Sequence, residues 1–389
     1  MKVLICHNRY RSNSPSGENQ VVDDEISLLR GAGIEVIQMM EDSDSIATGS
    51  PIAMSNVALG PLYSPTGVRR FKTILQGERP DIIHLHNVFP LISPAVVKVA
   101  KSAGLPIVQT IHNYRHTCVN GLHFRNGRPC DDCFGHRLAY PAVLHGCYRG
   151  SRSQSIAMVL GQTAHRGTWR MVDKLVAQTP LMARRLRAAG LDGRQIVVRP
   201  SWTTDPGEPV SPGKDFLYLG RLEEAKGINL LLEAWRLRKT RGTRRLRIAG
   251  TGPLEEHVRS IALIEDDVDY LGNLDRREVS AAIQQCGVVV IPSLCHEGGG
   301  PLVFVEALAY GRPVMVNHGT STASKVSDEL AWSVQPTVDS WRRAIEMIRQ
   351  DDVETRGMAA RKHYSETYSP PAALKSLLQI YEELLEGTK

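Results

Sequence analysis

The sequence is poor in aromatic residues: Phe, Trp and Tyr make up 6% of its 389 positions. Single-stranded nucleic acid is gripped by basic surfaces interleaved with stacking rings, so this scarcity argues against a nucleic-acid partner. No stretch approaches the roughly 20 consecutive apolar residues that span a bilayer, which excludes a membrane helix. The opening MKVLICHNRY has neither a basic leader nor a cleavage site and reads as a first strand. A cytoplasmic protein is expected, with peripheral contact at the inner face of the plasma membrane as its route to lipid. Fixed-period repeats, low-complexity tracts, a Walker loop and a Gly-x-Gly-x-x-Gly loop are all missing.

What is present is a repeated alternation of short β-rich runs and helical periods. KVLICH, EVIQMM, DIIHLH, PIVQTIH, KLVAQT and QIVVRP read as strands, with helices predicted over 19–33 and 93–104. After SWTTDPGEPVSPGKD (201–215) the rhythm restarts with FLYLG, RLRIAG, VDYLG and VVVIPS, and with helices over 227–239, 254–263, 275–285 and 301–310. A chain of this length exceeds one ordinary core. Two α/β domains follow, each a doubly wound parallel sheet: 1–204, with a Cys-rich insertion at 115–150, and 205–389. The amphipathic 371–387 helix either caps the second domain or returns to the first. Charge is uneven: residues 1–200 hold 24 Lys+Arg against 14 Asp+Glu, and the rest 23 against 27. A basic first half suits a phosphorylated or membrane-surface partner, or is a solvated face with none.

Two stretches carry chemistry. FLYLGRLEEAKGINLLLEAW (216–235) places a strand, then Gly220 and Arg221, then Lys226 and a glycine opening a helix. Two cations and a helix N-terminus at one strand end make an anion site. CHEGGGPLVFVEALAYGRPV (295–314) brackets glycines and an apolar run with Glu297 and Glu306, acids that a plain core helix does not need.

Together these motifs are similar to the donor half of retaining glycosyltransferases of family 4, which have the GT-B fold of two Rossmann-like domains facing a cleft. RPDIIHLHN, VQTIHNYRHTC and SPSGENQVV have counterparts there, and HNYR…GLHFRNGRPCDDC…GCYRGSR resembles a bacterial glycan-assembly branch. The resemblance implies a nucleotide-diphosphate sugar donor, UDP- or GDP-linked, and catalysis without a cofactor or metal. It places Arg221 and Lys226 on the leaving diphosphate, Glu306 at a helix start on the ribose hydroxyls and Glu297 on the hexose, with Gly298, Gly299, Gly300 and Leu302 lining the donor. His112 is placed near the transferring sugar, by ring or backbone carbonyl, and Gly17 near the diphosphate. His84, His86, Asn87 and Arg115 are acceptor candidates, the first three equally readable as core hydrogen-bonding groups. The family spaces its two acids by seven residues and this chain by eight. Either the loop bulges and Glu297 still reaches the sugar, or the glycine amides do so.

Cys118, Cys130, Cys133 and Cys147 follow a C-x11-C-x2-C-x13-C pattern. In a reducing compartment that reads as a tetrahedral structural zinc or as thiols without metal. The Arg-rich 149–175 and 182–190 segments suit an anionic membrane carrying a lipid-diphosphate glycan acceptor, or are plain solvated helices. A soluble small-molecule acceptor and a nucleotide-sugar 2-epimerase are the competing functions.

Overall fold

The computed structural model describes residues 1–12, 17–46, 60–240 and 242–387; Ser14–Ser16 of the quoted N-terminal loop lie outside these. In chain order the strands are β1 (Lys2–Arg9), β2 (Glu35–Asp42), β3 (Ile82–Leu85), β4 (Ile107–Ile111), β5 (Phe124–Arg125), β6 (Arg128–Pro129), β7 (Lys174–Ala177) and β8 (Ile196–Val198). They continue with β9 (Phe216–Leu219), β10 (Leu246–Ala249), β11 (Val268–Gly272), β12 (Val288–Ile291), β13 (Val314–Asn317) and β14 (Ala331–Val334).

The chain divides into two compact units, one of 1–123, 131–200 and 374–389, the other of 124–130 and 201–373. The first holds a six-stranded sheet ordered β2-β1-β3-β4-β7-β8, parallel throughout. Both its faces are covered, which is why its strands read as nearly unbroken apolar runs. Along β1, Leu4 and Cys6 join the core that holds Phe71 and Leu186. Val3 and Ile5 point the other way, onto Val22, Ile26 and Leu29 of the Gly17–Gly31 helix. Leu377, Ile380 and Tyr381 of the Pro370–Glu386 helix complete that second face, so the end of this helix belongs to the first unit.

The second unit has a six-stranded parallel sheet ordered β11-β10-β9-β12-β13-β14. Counted from β9 this is the 3-2-1-4-5-6 dinucleotide-binding order, whose direction reverses between β9 and β12. The sequence reading did not find β13, β14 or the helices Pro65–Glu78 and Gln350–Thr367. The Pro/Gly stretch after residue 200 is anchored: the Tyr364 hydroxyl donates to the Thr203 carbonyl at 3.0 Å, and Arg361 pairs with Asp205 at 2.8 Å. The β5–β6 hairpin, expected within the first domain's insertion, belongs to the second unit because Phe124 is buried against Ala225 and Cys295.

Removing core volume where the last helix meets the first sheet tests this assignment. Leu377 is fully buried, so Leu377→Ala should cost about 2–5 kcal/mol of unfolding free energy in urea. A loss below about 0.5 kcal/mol, typical of a surface change, would show that the helix is not part of that core.

Candidate functional site

In a doubly wound sheet, ligands settle beyond the strand ends where the order reverses. In the second unit the two loops at that point are tied together. The backbone N–H groups of Leu294 and Cys295, after β12, both donate to the carbonyl of Ala225, after β9, at 2.9 and 3.2 Å. A side chain on Gly227 (φ +72°) would stand 1.9 Å from the Pro292 carbonyl oxygen. Only glycine permits that approach, and here it opens the Ile228–Arg236 helix. The turn at 292–293 is held from behind, because Asn317 at the end of β13 donates to the carbonyls of Pro292 and Ser293 at 2.6 and 3.1 Å. Trp341 in turn donates its indole N–H to the Asn317 side chain at 2.6 Å.

This clamp brings the half-buried Lys226 and the buried Glu297 into an ion pair at 2.9 Å, while the Ser293 hydroxyl donates to the other carboxylate oxygen. Burial pulls the Lys226 pKa down, but Glu297 foremost outweighs it and leaves it above its ordinary value. Gly300, in the run between the two acids, takes up a left-handed conformation (φ +75°). Arg221 is exposed at the rim and pairs with Glu223 at 3.1 Å, its carbonyl accepting from the Tyr218 hydroxyl at 2.8 Å. Gly220 donates its N–H to Ala249 at 3.1 Å.

Lys325 was not predicted. Its ammonium donates to the Gly299 carbonyl at 3.1 Å and lies 4.3 Å from the Phe304 ring centroid. Burial drives its pKa down to about 7, with Glu297 opposing. Nothing in NHGTSTASK marks this lysine in the sequence; only the fold returns it to the glycine run.

Glu306 does not begin its helix. The helix Leu302–Ala309 starts after the extended Pro301, which puts Glu306 in the second turn, half-buried, with Leu302 at the start. Glu306 lines a small cavity of about 80 Å³ with Thr204, Arg276, Ser280 and Tyr310, to which Arg221, Lys226 and Glu297 do not contribute.

The first unit has its own polar centre. The Glu25 carboxylate is fully buried, 2.7 Å from the Arg199 guanidinium, 3.2 Å from His84 Nδ1 and 3.3 Å from His86 Nε2. Burial pushes its pKa up, and Arg199, then His84 and His86, reverse this and hold it well below the usual range. One set of tautomers satisfies the line that follows. Gln178 donates to His112 Nδ1 at 3.3 Å, His112 Nε2–H donates to His86 Nδ1 at 2.9 Å, and His86 Nε2–H faces Glu25. Both ring nitrogens of His112 are therefore engaged, and burial keeps its pKa well below the ordinary imidazole value.

The acceptor candidates separate. His84 is fully buried with Nδ1 on the Tyr381 hydroxyl at 2.6 Å and Nε2 on Thr110 at 2.8 Å, which leaves no ring nitrogen for an acceptor. Asn87 holds the backbone of Asn8 and Phe89. Arg115 lies over the Tyr10 ring at 5.9 Å and, with Glu18, His86 and His112, lines a narrow recess. Gly17 is the exposed first residue of its helix.

Among the described residues, three candidate metal-ligand side chains converge within 4.8 Å at one place, Glu25, His84 and His86. Arg199 already supplies the cation there, and a second one beside it would be strongly repelled. The four cysteines, candidate zinc ligands or thiols without metal, lie in three settings. Cys118 packs on the main core and donates to Asn120, whereas Cys133 and Cys147 pack on the small core around Val119 and Met158. Cys130 is grouped with the second unit.

Two parallel doubly wound sheets, one in each unit, are those of the GT-B fold. Residues 205–365 match the family described as Glycosyl transferases group 1, and residues 25–202 match the Glycosyl transferase 4-like domain. The phosphatidyl-myo-inositol mannosyltransferase of Mycobacterium leprae is 30% identical over 97% of this chain and 96% of its own. Sucrose-phosphate synthase from Thermosynechococcus elongatus is similar in structure, with a TM-score of 0.70 at 17% identity over 99% of both chains. Anabaena HepE, solved with UDP and glucose, gives 0.65 at 15% identity over 99% of this chain and 100% of its own. The chain belongs to the family-4-like, group 1 glycosyltransferases.

Lys325 yields a test in stability. Between about pH 7 and its ordinary value of 10.5, the unfolded chain holds a proton on Lys325 that the folded chain has released. Stability therefore rises with pH across that window. The Tm of the wild type minus that of Lys325→Met should climb from neutral to alkaline pH; a flat difference would refute the buried, deprotonating lysine.

Proposed function

We propose that this glycosyltransferase moves a hexosyl unit from a UDP- or GDP-linked sugar to a glycan acceptor carried on a lipid diphosphate, with retention at the anomeric carbon. The observation that carries the reading is the Lys226–Glu297 pair, held where the second sheet reverses direction. A pyrophosphate is bound at such a point by helix N-termini and cations. HepE, with the same fold, has been solved with UDP and glucose. The mycobacterial relative is named for mannosyl transfer to a phosphatidylinositol, which favours a lipid-borne acceptor.

In the reaction, the bond from the sugar C1 to the donor diphosphate breaks, and the bond from C1 to the acceptor oxygen forms on the same face. The acceptor's proton passes to the departing diphosphate oxygen. Arg221 and Lys226 offset the charge that grows there, as preorganised cations do in a water-poor site. They supply the positive charge that a divalent ion would otherwise bring, so transfer is expected to proceed without added metal. Lys226 aligns Glu297 toward the hexose hydroxyls, whose donors a carboxylate suits. Glu306 takes the ribose, and the His112 carbonyl faces the transferring sugar.

Three measurements test this. Lys226→Ala should lower kcat about 100-fold while changing KM far less; equal losses in binding and turnover would reduce the lysine to a simple contact. Glu306→Ala should weaken calorimetric binding of the nucleotide diphosphate by about 10-fold or more, the scale of a charge-assisted hydrogen bond; unchanged affinity in folded protein would refute the ribose role. In a thermal-shift panel, UDP or GDP should raise the Tm by mass action, and no response to any nucleotide diphosphate would overturn the donor reading.

A further inference from the structure

A cavity of about 250 Å³ opens in the first unit between the Cys-rich insertion, the Arg166–Arg170 segment and the turn at 188–191. By liquid volume it would hold about eight waters, too many for one small ion. Its charged side chains are of one sign, Arg166 and Arg170, and among the described residues no acidic side chain lines it; His116 and His136 add imidazole rings. Aromatic surface is supplied by Trp169 and Phe134.

One lining residue is left unsatisfied. Both ring nitrogens of His116 are buried and have no hydrogen-bond partner among the described residues. Buried imidazole nitrogens without partners are costly and uncommon in a finished core. The ring rests against Trp169, with centroids 4.8 Å apart, so it is fixed. Burial alone lowers its pKa to about 4, and it is a neutral ring with one donor and one acceptor to offer. His116 also lines the narrow recess that contains His112 and Arg115. A group seated in the cavity is thereby connected to the place where the sugar is expected.

We propose that this cavity is an acceptor subsite for an anionic monosaccharide or polyol unit, one carrying phosphate or carboxylate. His116 hydrogen-bonds a ring hydroxyl, Arg166 and Arg170 take the charge, and Trp169 packs against the apolar face of the ring. The inference rests on the glycosyltransferase reading and adds to it a chemical class of acceptor.

The test uses the full chain and calorimetric titration with four probes: glucose 6-phosphate, glucuronate, glucose and inorganic phosphate. The two anionic sugars should bind saturably, glucose and phosphate alone at least tenfold more weakly. Arg166→Gln combined with Arg170→Gln, both on the exposed rim, should weaken the anionic sugars at least tenfold. His116→Phe should weaken every sugar probe and leave inorganic phosphate unchanged. If glucose 6-phosphate and glucuronate differ strongly, the tighter one names the charge the acceptor carries. Glucose binding as tightly as the charged sugars, or charged sugars indifferent to all three substitutions, would overturn the proposal. The UDP and GDP thermal shift, recorded on the same variants, should stay at the wild-type value. Its absence in the wild type would refute the donor reading instead, so the two failures are told apart.

Discussion

A carboxylate in the middle of a folded unit must be answered by opposite charge, and the first unit is arranged around that requirement. Glu25 comes from the Gly17–Gly31 helix, Arg199 from just beyond β8, and His84 and His86 from the end of β3. Taking such a charge out of water costs several kcal/mol unless a partner and hydrogen bonds compensate. The partners here come from elements far apart in sequence, so the carboxylate fixes their register. The same constraint runs outward to His112, whose ring is oriented by His86 and Gln178. His112 thus owes its tautomer, through His86, to the Glu25 charge.

The second unit reaches its site by a different route, through backbone packing. The loops after β9 and β12 share the Ala225 carbonyl and meet at Gly227 with no space for a side chain. Lys226 and Glu297 are adjacent because their backbones are. The fold places a preformed pair of charges at the sheet's reversal, and Lys325 adds a third group reached from β13. Preorganisation of this kind is how charge stabilisation avoids a reorganisation cost at the moment of reaction.

Much of this was legible in the sequence. Strands buried on both faces announce themselves as apolar runs, and two rounds of alternation gave the two sheets. The Gly-Arg…Lys-Gly motif and Glu297 lie on the loops after β9 and β12, whereas Glu306 lines a separate cavity. Other parts were not legible. The Pro65–Glu78 helix carries a Ser64 cap and an N-terminal proline that could have been read, whereas β13 and β14 lie among loop residues and are defined by their neighbours in the sheet. Lys325 and Asn317 act through contacts that no local pattern encodes. Cysteine spacing left a metal and plain thiols both open, and spacing alone says nothing of direction: Cys118 packs on the main core, while Cys133 and Cys147 share the small one. Glu306, placed at a helix start by the family resemblance, lies in the second turn of a helix that begins at Leu302.

The Pro370–Glu386 helix carries a consequence for biogenesis. Its Leu377 and Tyr381 fill the face of a sheet whose first strand begins at Lys2, and the Tyr381 hydroxyl holds His84. A ribosome making this chain releases the beginning of that sheet long before the side chains that seal it. Until the Pro370–Glu386 helix has been translated, that face lacks Leu377, Ile380 and Tyr381 and is covered only in part. The nascent form of this unit is a natural client for chaperones that shield such surfaces.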